Sequence, residues 1–193
     1  MLHPDIVIKN GSISGKGLFA KRNMPKGTVV YKLKNDVRIY SKDQYKKFSK
    51  RYKRILEKFA NEDNSGMIIH HIDGAKYGNH SCYPNCHELS SGHAYMDITL
   101  KDIREGEELT WDYATLIPKW RKSIKCNCGY KNCRKIIFRV SPNSKIVKKL
   151  KALTKRAEKS CLKVKQPLLN KKEIAEFTKV LRSPKKANNP FSS

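Results

Sequence analysis

The sequence predicts a mainly β domain with one helical insert, followed by a basic, helical C-terminal tail. Three observations carry this: short β-branched runs punctuated by Gly, Pro and Asn through residue 140, one helix-period segment at 41–59, and amphipathic Lys-rich stretches after 141. A chain of 193 residues suits one core-bearing domain plus a tail better than two large domains.

The strand candidates are residues 6–8, 28–31, 94–100 and 136–140, each bounded by turn formers. In the insert Ser41 can cap a helix whose Tyr45, Phe48, Tyr52, Ile55, Leu56 and Phe59 share one face, while Lys46, Lys47, Lys50, Arg51, Lys53 and Arg54 fill the other. Two further helices are expected in the tail. One runs over 145–159 with Ile146, Leu150 and Leu153 inward, and one over 171–181 with Ile174, Phe177 and Leu181 inward. Asn170 with Glu173 three residues on reads as a capping box for the second, and Pro184 and Pro190 close the tail.

Lys and Arg total 42 against 17 Asp and Glu, a formal charge of +25, while 38% of residues are hydrophobic. Such a balance permits a packed core under a strongly positive surface and points to a polyanionic partner, foremost nucleic acid. Residues 1–140 carry 27 basic and 14 acidic groups, and residues 141–193 carry 15 and 3, so the last stretch holds almost half the net charge. Nothing approaches the ~20 consecutive apolar residues of a membrane span, so a soluble intracellular protein with no membrane partner is expected. The cysteines, at 82, 86, 126, 128, 133 and 161, leave the first 81 residues bare; that uneven placement favours metal thiolates over disulfides.

Four segments carry chemistry. Gly15-Lys16-Gly17, leading into Leu18-Phe19-Ala20, lets main-chain amides approach a ligand closely, but lacks the third glycine of a dinucleotide fingerprint. Residues 75–86 crowd amides, an imidazole, a hydroxyl and a thiol around one bend, which suits a ligand pocket. Residues 106–113 end a strand with Trp111 and Tyr113. Cys126, Cys128 and Cys133 form a C-x-C-x4-C, three thiolates where a closed zinc site wants four ligands; His80, His87, Cys82 and Cys86 are all open as the fourth.

With G-x-G-L-F-A, N-H-S-C-x-P-N, G-E-E-L-T-x-D-Y and C-x-C-x4-C in this order, residues 5–140 resemble the SET-domain protein-lysine methyltransferases with a post-SET zinc motif. The resemblance implies the SET-domain pseudoknotted β fold, divided as a SET domain at 5–118, a post-SET zinc segment at 119–140 and the basic tail at 141–193. It implies that Gly15, Lys16 and Gly17 line an S-adenosylmethionine pocket through main-chain groups, with Asn79 and His80 holding the cofactor's two ends. Tyr113 corresponds to the catalytic tyrosine. Cys82 joins Cys126, Cys128 and Cys133 around zinc, which pins the C-terminal segment over the site. Trp111 takes the position that tunes how many methyls are added. Where relatives carry E-Y-x-G this chain has Lys-Leu-Lys-Asn at 32–35, so Tyr31 is the candidate for the missing aromatic wall of the lysine channel. The insert shapes the substrate groove in relatives, making Tyr45, Tyr52 and residues 68–72 candidates to face a peptide, beside their plainer reading as core. Cys86 and Cys161 remain as free thiols, and His70, His71 and His87 as surface or core groups.

The expected function is transfer of a methyl group from S-adenosylmethionine to a lysine of a histone or other basic DNA-associated protein. Localisation follows the substrate: nucleus or chromatin for eukaryotic histones, cytoplasm otherwise. A basic enzyme repels a basic substrate, so DNA or nucleosome contact through the tail and the 46–54 face is expected to tether both, and Asp97, Asp102, Glu105, Glu107, Glu108 and Asp112 form a possible acidic strip for a basic peptide. The alternatives are a catalytically inactive, zinc-stapled chromatin or DNA-binding module, which has no use for Tyr113, and a plain basic nucleic-acid binder without cofactor.

Overall fold

The computed structural model describes residues 1–11, 13–33, 37–63, 65–89 and 96–182. Lys34, Asn35, Ala94, Tyr95, Pro184 and Pro190, which figure in the sequence reading, lie outside the described residues. The chain runs β1 (Ile6–Asn10), β2 (Lys16–Ala20), β3 (Val29–Lys32), β4 (Val37–Tyr40), α1 (Lys42–Lys47), α2 (Lys50–Phe59), β5 (Ala60–Glu62) and β6 (Ile68–His71). It continues through β7 (Asn79–His80), β8 (Cys86–Glu88), β9 (Met96–Thr99), β10 (Glu108–Trp111), β11 (Ile124–Lys125) and β12 (Ile136–Ile137) to α3 (Lys145–Cys161) and α4 (Lys171–Arg182). The strands form small sheets ordered β1-β2-β10-β7, β3-β9-β8, β4-β6-β5 and β11-β12.

The expected single helix over 41–59 is two helices. Ser41 caps α1 in a full capping box with Gln44. The Ser49 side chain then accepts from Tyr52 N and starts α2 afresh after Phe48 leaves helical geometry. Helical spacing survives the break, so Tyr40, Tyr45, Phe48, Tyr52 and Leu56 still gather with Ile68 and Trp120 in one cluster. Tyr45 stacks on Trp120 at 4.7 Å and the Tyr52 hydroxyl meets His70 Nδ1 at 3.2 Å. Tyr45 and Tyr52 are partly buried against this cluster and Ile68 and Ile69 are buried, whereas Ile72, at the end of the candidate peptide-facing stretch, is exposed.

The strand expected at 136–140 shortens to Ile136–Ile137, and the two tail helices run slightly longer than their patterns. The tail does not trail away. Leu150, Ala157, Cys161, Leu168, Leu169 and Phe177 close over Val29, Met96, Ile98 and Leu100 in one buried cluster. Gln166 completes the junction, accepting from Val29 N at 2.8 Å and donating to Gly27 O at 2.9 Å. The approach is close at Gly27, which has φ +87° and where a Cβ would lie 2.8 Å from Cys161 N, so only glycine fits.

Candidate active site and metal centre

The site is built where β7 runs parallel to β10, bringing Asn79 opposite Thr110 and His80 opposite Trp111 across thirty residues of chain. The Asn85 side chain locks this pairing, accepting from Thr110 N at 2.7 Å and donating to Glu108 O at 2.8 Å. The N-H-S-C and E-L-T-x-D-Y segments therefore meet as expected. Just beyond β10, Asp112 accepts from Ala114 N and caps a 3₁₀ turn over Tyr113–Thr115. Tyr113 N donates to His80 Nδ1 at 3.0 Å, and the Tyr113 hydroxyl donates to Gly78 O at 2.6 Å. Burial pushes that hydroxyl up to about 12, so it stays protonated at neutral pH. Burial likewise pushes His80 down to about 4, consistent with a neutral ring that accepts at Nδ1.

Two cavities share Tyr113. The larger, of about 540 Å³, is lined by Ser14, Gly15, Lys16, Asn79, His80 and Tyr113, among others. The β1–β2 turn forms its rim: Gly15 sits at φ +50° and a Cβ there would meet nothing within 4 Å. Asn79 holds the turn in place, its Nδ2 donating to Ser14 O, Lys16 O and Glu108 Oε1. The Asn79 side chain is thus engaged by protein, leaving its main chain to face a ligand. Gly17 stands just behind, where a Cβ would collide with the Glu108 carboxylate. The open main chain of this rim fits a cofactor held by backbone groups, as S-adenosylmethionine is expected to be.

The smaller cavity, about 80 Å³, is lined by Tyr31, Gly78, Asp97, Trp111 and Tyr113, by Lys58, Lys76 and Arg121, and by aliphatic and other polar groups. Tyr31 is buried, and its hydroxyl pairs with His71 Nδ1 at 3.1 Å. Gly78 is forced by Trp111, whose ring would lie 2.8 Å from a Cβ.

Cys82, Cys126, Cys128 and Cys133 bring their sulfurs within 4.8 Å of one another. The Cys82 and Cys126 sulfurs are 3.7 Å apart, matching the ~3.8 Å edge of a tetrahedron with Zn–S bonds of ~2.3 Å. Arg134 N donates to Cys82 Sγ and Lys135 N to Cys133 Sγ, each at 3.3 Å, partners suited to thiolates. Donor set and spacing fit zinc. Of the other candidates for the fourth ligand, Cys86 is buried in the core and His87 stands outside the cluster. His80 is the cluster's neighbour, its Nε2 3.4 Å from Cys82 Sγ.

Sequence reasoning missed Arg134 and misplaced two carboxylates. Arg134 donates from Nε to Cys82 Sγ and from a terminal nitrogen to Asp112 at 2.6 Å, tying the sulfur cluster to the turn that carries Tyr113. Its position directly after Cys133 was the available signal. Asp97 and Asp112 belong to no acidic strip: Asp112 is buried under Arg134, and Asp97 accepts from Trp111 Nε1 at 3.0 Å. Glu108 is turned onto Asn79 and Glu107 onto Lys101.

The family model described as SET domain matches residues 15–114. The chain is similar to Histone-lysine N-methyltransferase 2B of Homo sapiens, 33% identical over 137 residues that make up 67% of this chain and 5% of that protein. It is also similar to Histone-lysine N-methyltransferase trr of Drosophila melanogaster, 30% identical over 147 residues, 68% of this chain and 6% of that protein. The chain thus spans a small fraction of the length of these relatives. Among solved structures it is similar to the crystal structure of KRYPTONITE in complex with mCHG DNA and SAH, with TM-score 0.47 and 18% identity, covering 69% of this chain and 29% of that one.

Proposed function

The chain belongs to the SET-domain family, and from that membership we propose that it is a protein-lysine N-methyltransferase using S-adenosylmethionine. One observation carries the reading: Tyr113 stands in the wall common to a wide cavity rimmed by open main chain and a narrower slot walled by Tyr31 and Trp111. The relatives' names, histone-lysine N-methyltransferases, support the same class of substrate.

S-adenosylmethionine supplies a methyl carbon made electrophilic by its sulfonium. Gly15 and Lys16 would hold it through main-chain groups, Gly17 through the close packing behind them, and Asn79 and His80 from the opposite wall. Attack requires a neutral amine, whereas free lysine titrates near 10.4; the slot's aromatic walls, Trp111 and Tyr31, penalise the ammonium by desolvation. The Tyr113 hydroxyl, donating to Gly78 O, leaves its oxygen able to accept an N–H of the amine and so to orient the lone pair. Cys82, Cys126, Cys128 and Cys133 would hold zinc. Through Arg134 and Asp112 that centre fixes the turn on which Tyr113 is carried.

The substrate is a histone or a similarly basic DNA-associated protein, which places the enzyme at chromatin in the nucleus. Lys42, Lys46, Lys47, Lys50, Arg51 and Arg54 lie exposed along α1 and α2, and Lys148, Lys149, Lys151, Lys155 and Arg156 along α3. Contact of these faces with DNA phosphates would bring the enzyme to a substrate it would otherwise repel. The test is labelled S-adenosylmethionine with histones, nucleosomes and bacterial nucleoid proteins. Label is expected on a lysine of a histone, and at least a hundredfold less with Tyr113→Phe. No label on any substrate, or full activity in that variant, overturns the reading.

A further inference from the structure

Asp97 stands at the centre of β9. Strand alternation turns it away from Met96 and Ile98, which pack under the tail helices, and into the narrow cavity. It is the one carboxylate among the described residues lining that cavity, whose other charged groups are Lys58, Lys76 and Arg121. Its Oδ2 accepts from Trp111 Nε1 at 3.0 Å, and among the described residues nothing donates to Oδ1. Asp97 is partly exposed, and its Oδ1 is left open to the cavity, where a ligand can donate to it. Steadying the indole alone would need only a neutral carbonyl acceptor. An acid at this place calls for a cationic guest.

We propose that Asp97 is the amine-binding residue of the channel: its carboxylate, oriented by Trp111 Nε1, accepts an N–H of the target lysine. The proposal rests on the reading of the narrow cavity as the lysine channel. The carboxylate receives the lysine as its ammonium through a charge-assisted hydrogen bond in the cavity that Tyr113 also lines, and the neutral amine that attacks, once its proton has passed to solvent, keeps an N–H to Asp97. A product preference follows from donor count. The attacking neutral amine offers two N–H groups as a primary amine, one once monomethylated and none once dimethylated. Each added methyl therefore removes a partner from Asp97, and the enzyme stops short of trimethyllysine.

The test uses a probe that needs no methyl donor. n-Butylammonium, with a lysine's head group and most of its stem, is titrated into the 193-residue chain by calorimetry. Saturable binding is expected, at least tenfold weaker in Asp97→Asn, which is isosteric and keeps an acceptor for Trp111; tetramethylammonium should not compete. Undiminished binding in Asp97→Asn, or equal binding of tetramethylammonium, overturns the proposal. Mass spectrometry of methylated peptide gives the second readout: Asp97→Asn should shift products toward trimethyllysine, and an unchanged distribution counts equally against it. Binding of n-butylammonium through Asp97 in a protein that methylates nothing would uphold the amine site and remove the methyltransferase reading, so the two failures are told apart.

Discussion

The helical pair at the C-terminus and the cysteine-bearing segment before it are held to the same domain by opposite means. α3 and α4 lay Leu150, Ala157, Cys161, Leu168, Leu169 and Phe177 onto the β3-β9-β8 sheet, an apolar contact spread over many side chains. The 119–140 segment pairs two strands of two residues each and leaves Ile136 and Phe138 about half exposed, at 49% and 57%. Beside a small apolar cluster around Ile137 and hydrogen bonds from Lys119, Arg121 and Arg139, it is tied to the domain by three thiols that meet Cys82 and by the Arg134 bridge. Distributed burial tolerates the loss of any one contact, whereas concentrated ligation fails as a unit. The segment that fails as a unit is also the one braced to Tyr113, so structural and catalytic order are coupled there and separate in the helices.

The largest effect expected is from removing the metal. A strong chelator, or Cys126→Ser, should raise amide hydrogen exchange across 119–140 and at 79–82 and abolish methyl transfer, while α3 and α4 keep their protection. Structural zinc contributes apparent free energies of ~10–16 kcal/mol in small domains, so the local change should be complete. Exchange rising uniformly over the chain would erase the contrast between the two regions. Second comes Phe177→Ala, at a side chain with 1% exposure. It should cost about 3–5 kcal/mol in urea unfolding yet leave zinc content at one ion per chain. Loss of the ion in that variant would show the helices to be part of the metal site's support.

The third prediction sharpens the difference between burial that stabilises and burial that serves chemistry. Burial, with Glu88 beside it on β8, pushes the Asp97 carboxyl up to about 7. Tyr31 flanks it on β3, Trp111 donates from β10, and Lys58, Lys76 and Arg121 share its cavity. The folded value lies above the unfolded one, so the favourable contribution is full below about pH 4 and is lost as pH rises through about 7. Asp97→Asn removes the ionised form's penalty and should be more stable than the parent by about 1–3 kcal/mol at pH 8, with little difference at pH 4. Equal stability at both pH values would mean that the carboxylate is well solvated.

Much of this was legible because motif spacing and helix period survive without coordinates. Both tail helices, the Asn170–Glu173 capping box and the convergence of the N-H-S-C and E-L-T-x-D-Y segments are present as read. The break at Phe48 was hidden because Ser49 restarts α2 in nearly the same phase, so the apolar stripe continues across it. Asp97 and Asp112 were misread because charge counted along the chain ignores which face of a strand or turn a carboxylate occupies. Docking of the tail was the least legible feature. Its amphipathic pattern announces an apolar face, but the receiving surface is the buried side of β3 and β9, more than forty residues earlier.

The smallest effect tests whether that docking depends on how α4 begins. Asn170 Oδ1 accepts from Glu173 N and Glu173 Oε2 accepts from Asn170 N, both at 2.9 Å, while the other Glu173 oxygen pairs with Lys32 Nζ at the end of β3. One glutamate thus caps the helix and fastens it to the sheet. Asn170→Ala removes only the cap, and about 1 kcal/mol is expected from thermal unfolding. Glu173→Gln retains a capping oxygen but removes the charge facing a Lys32 side chain of 9% exposure, so it should cost more than Asn170→Ala. The reverse order would mean that the helix start, and not the ion pair to β3, determines how firmly α4 is seated.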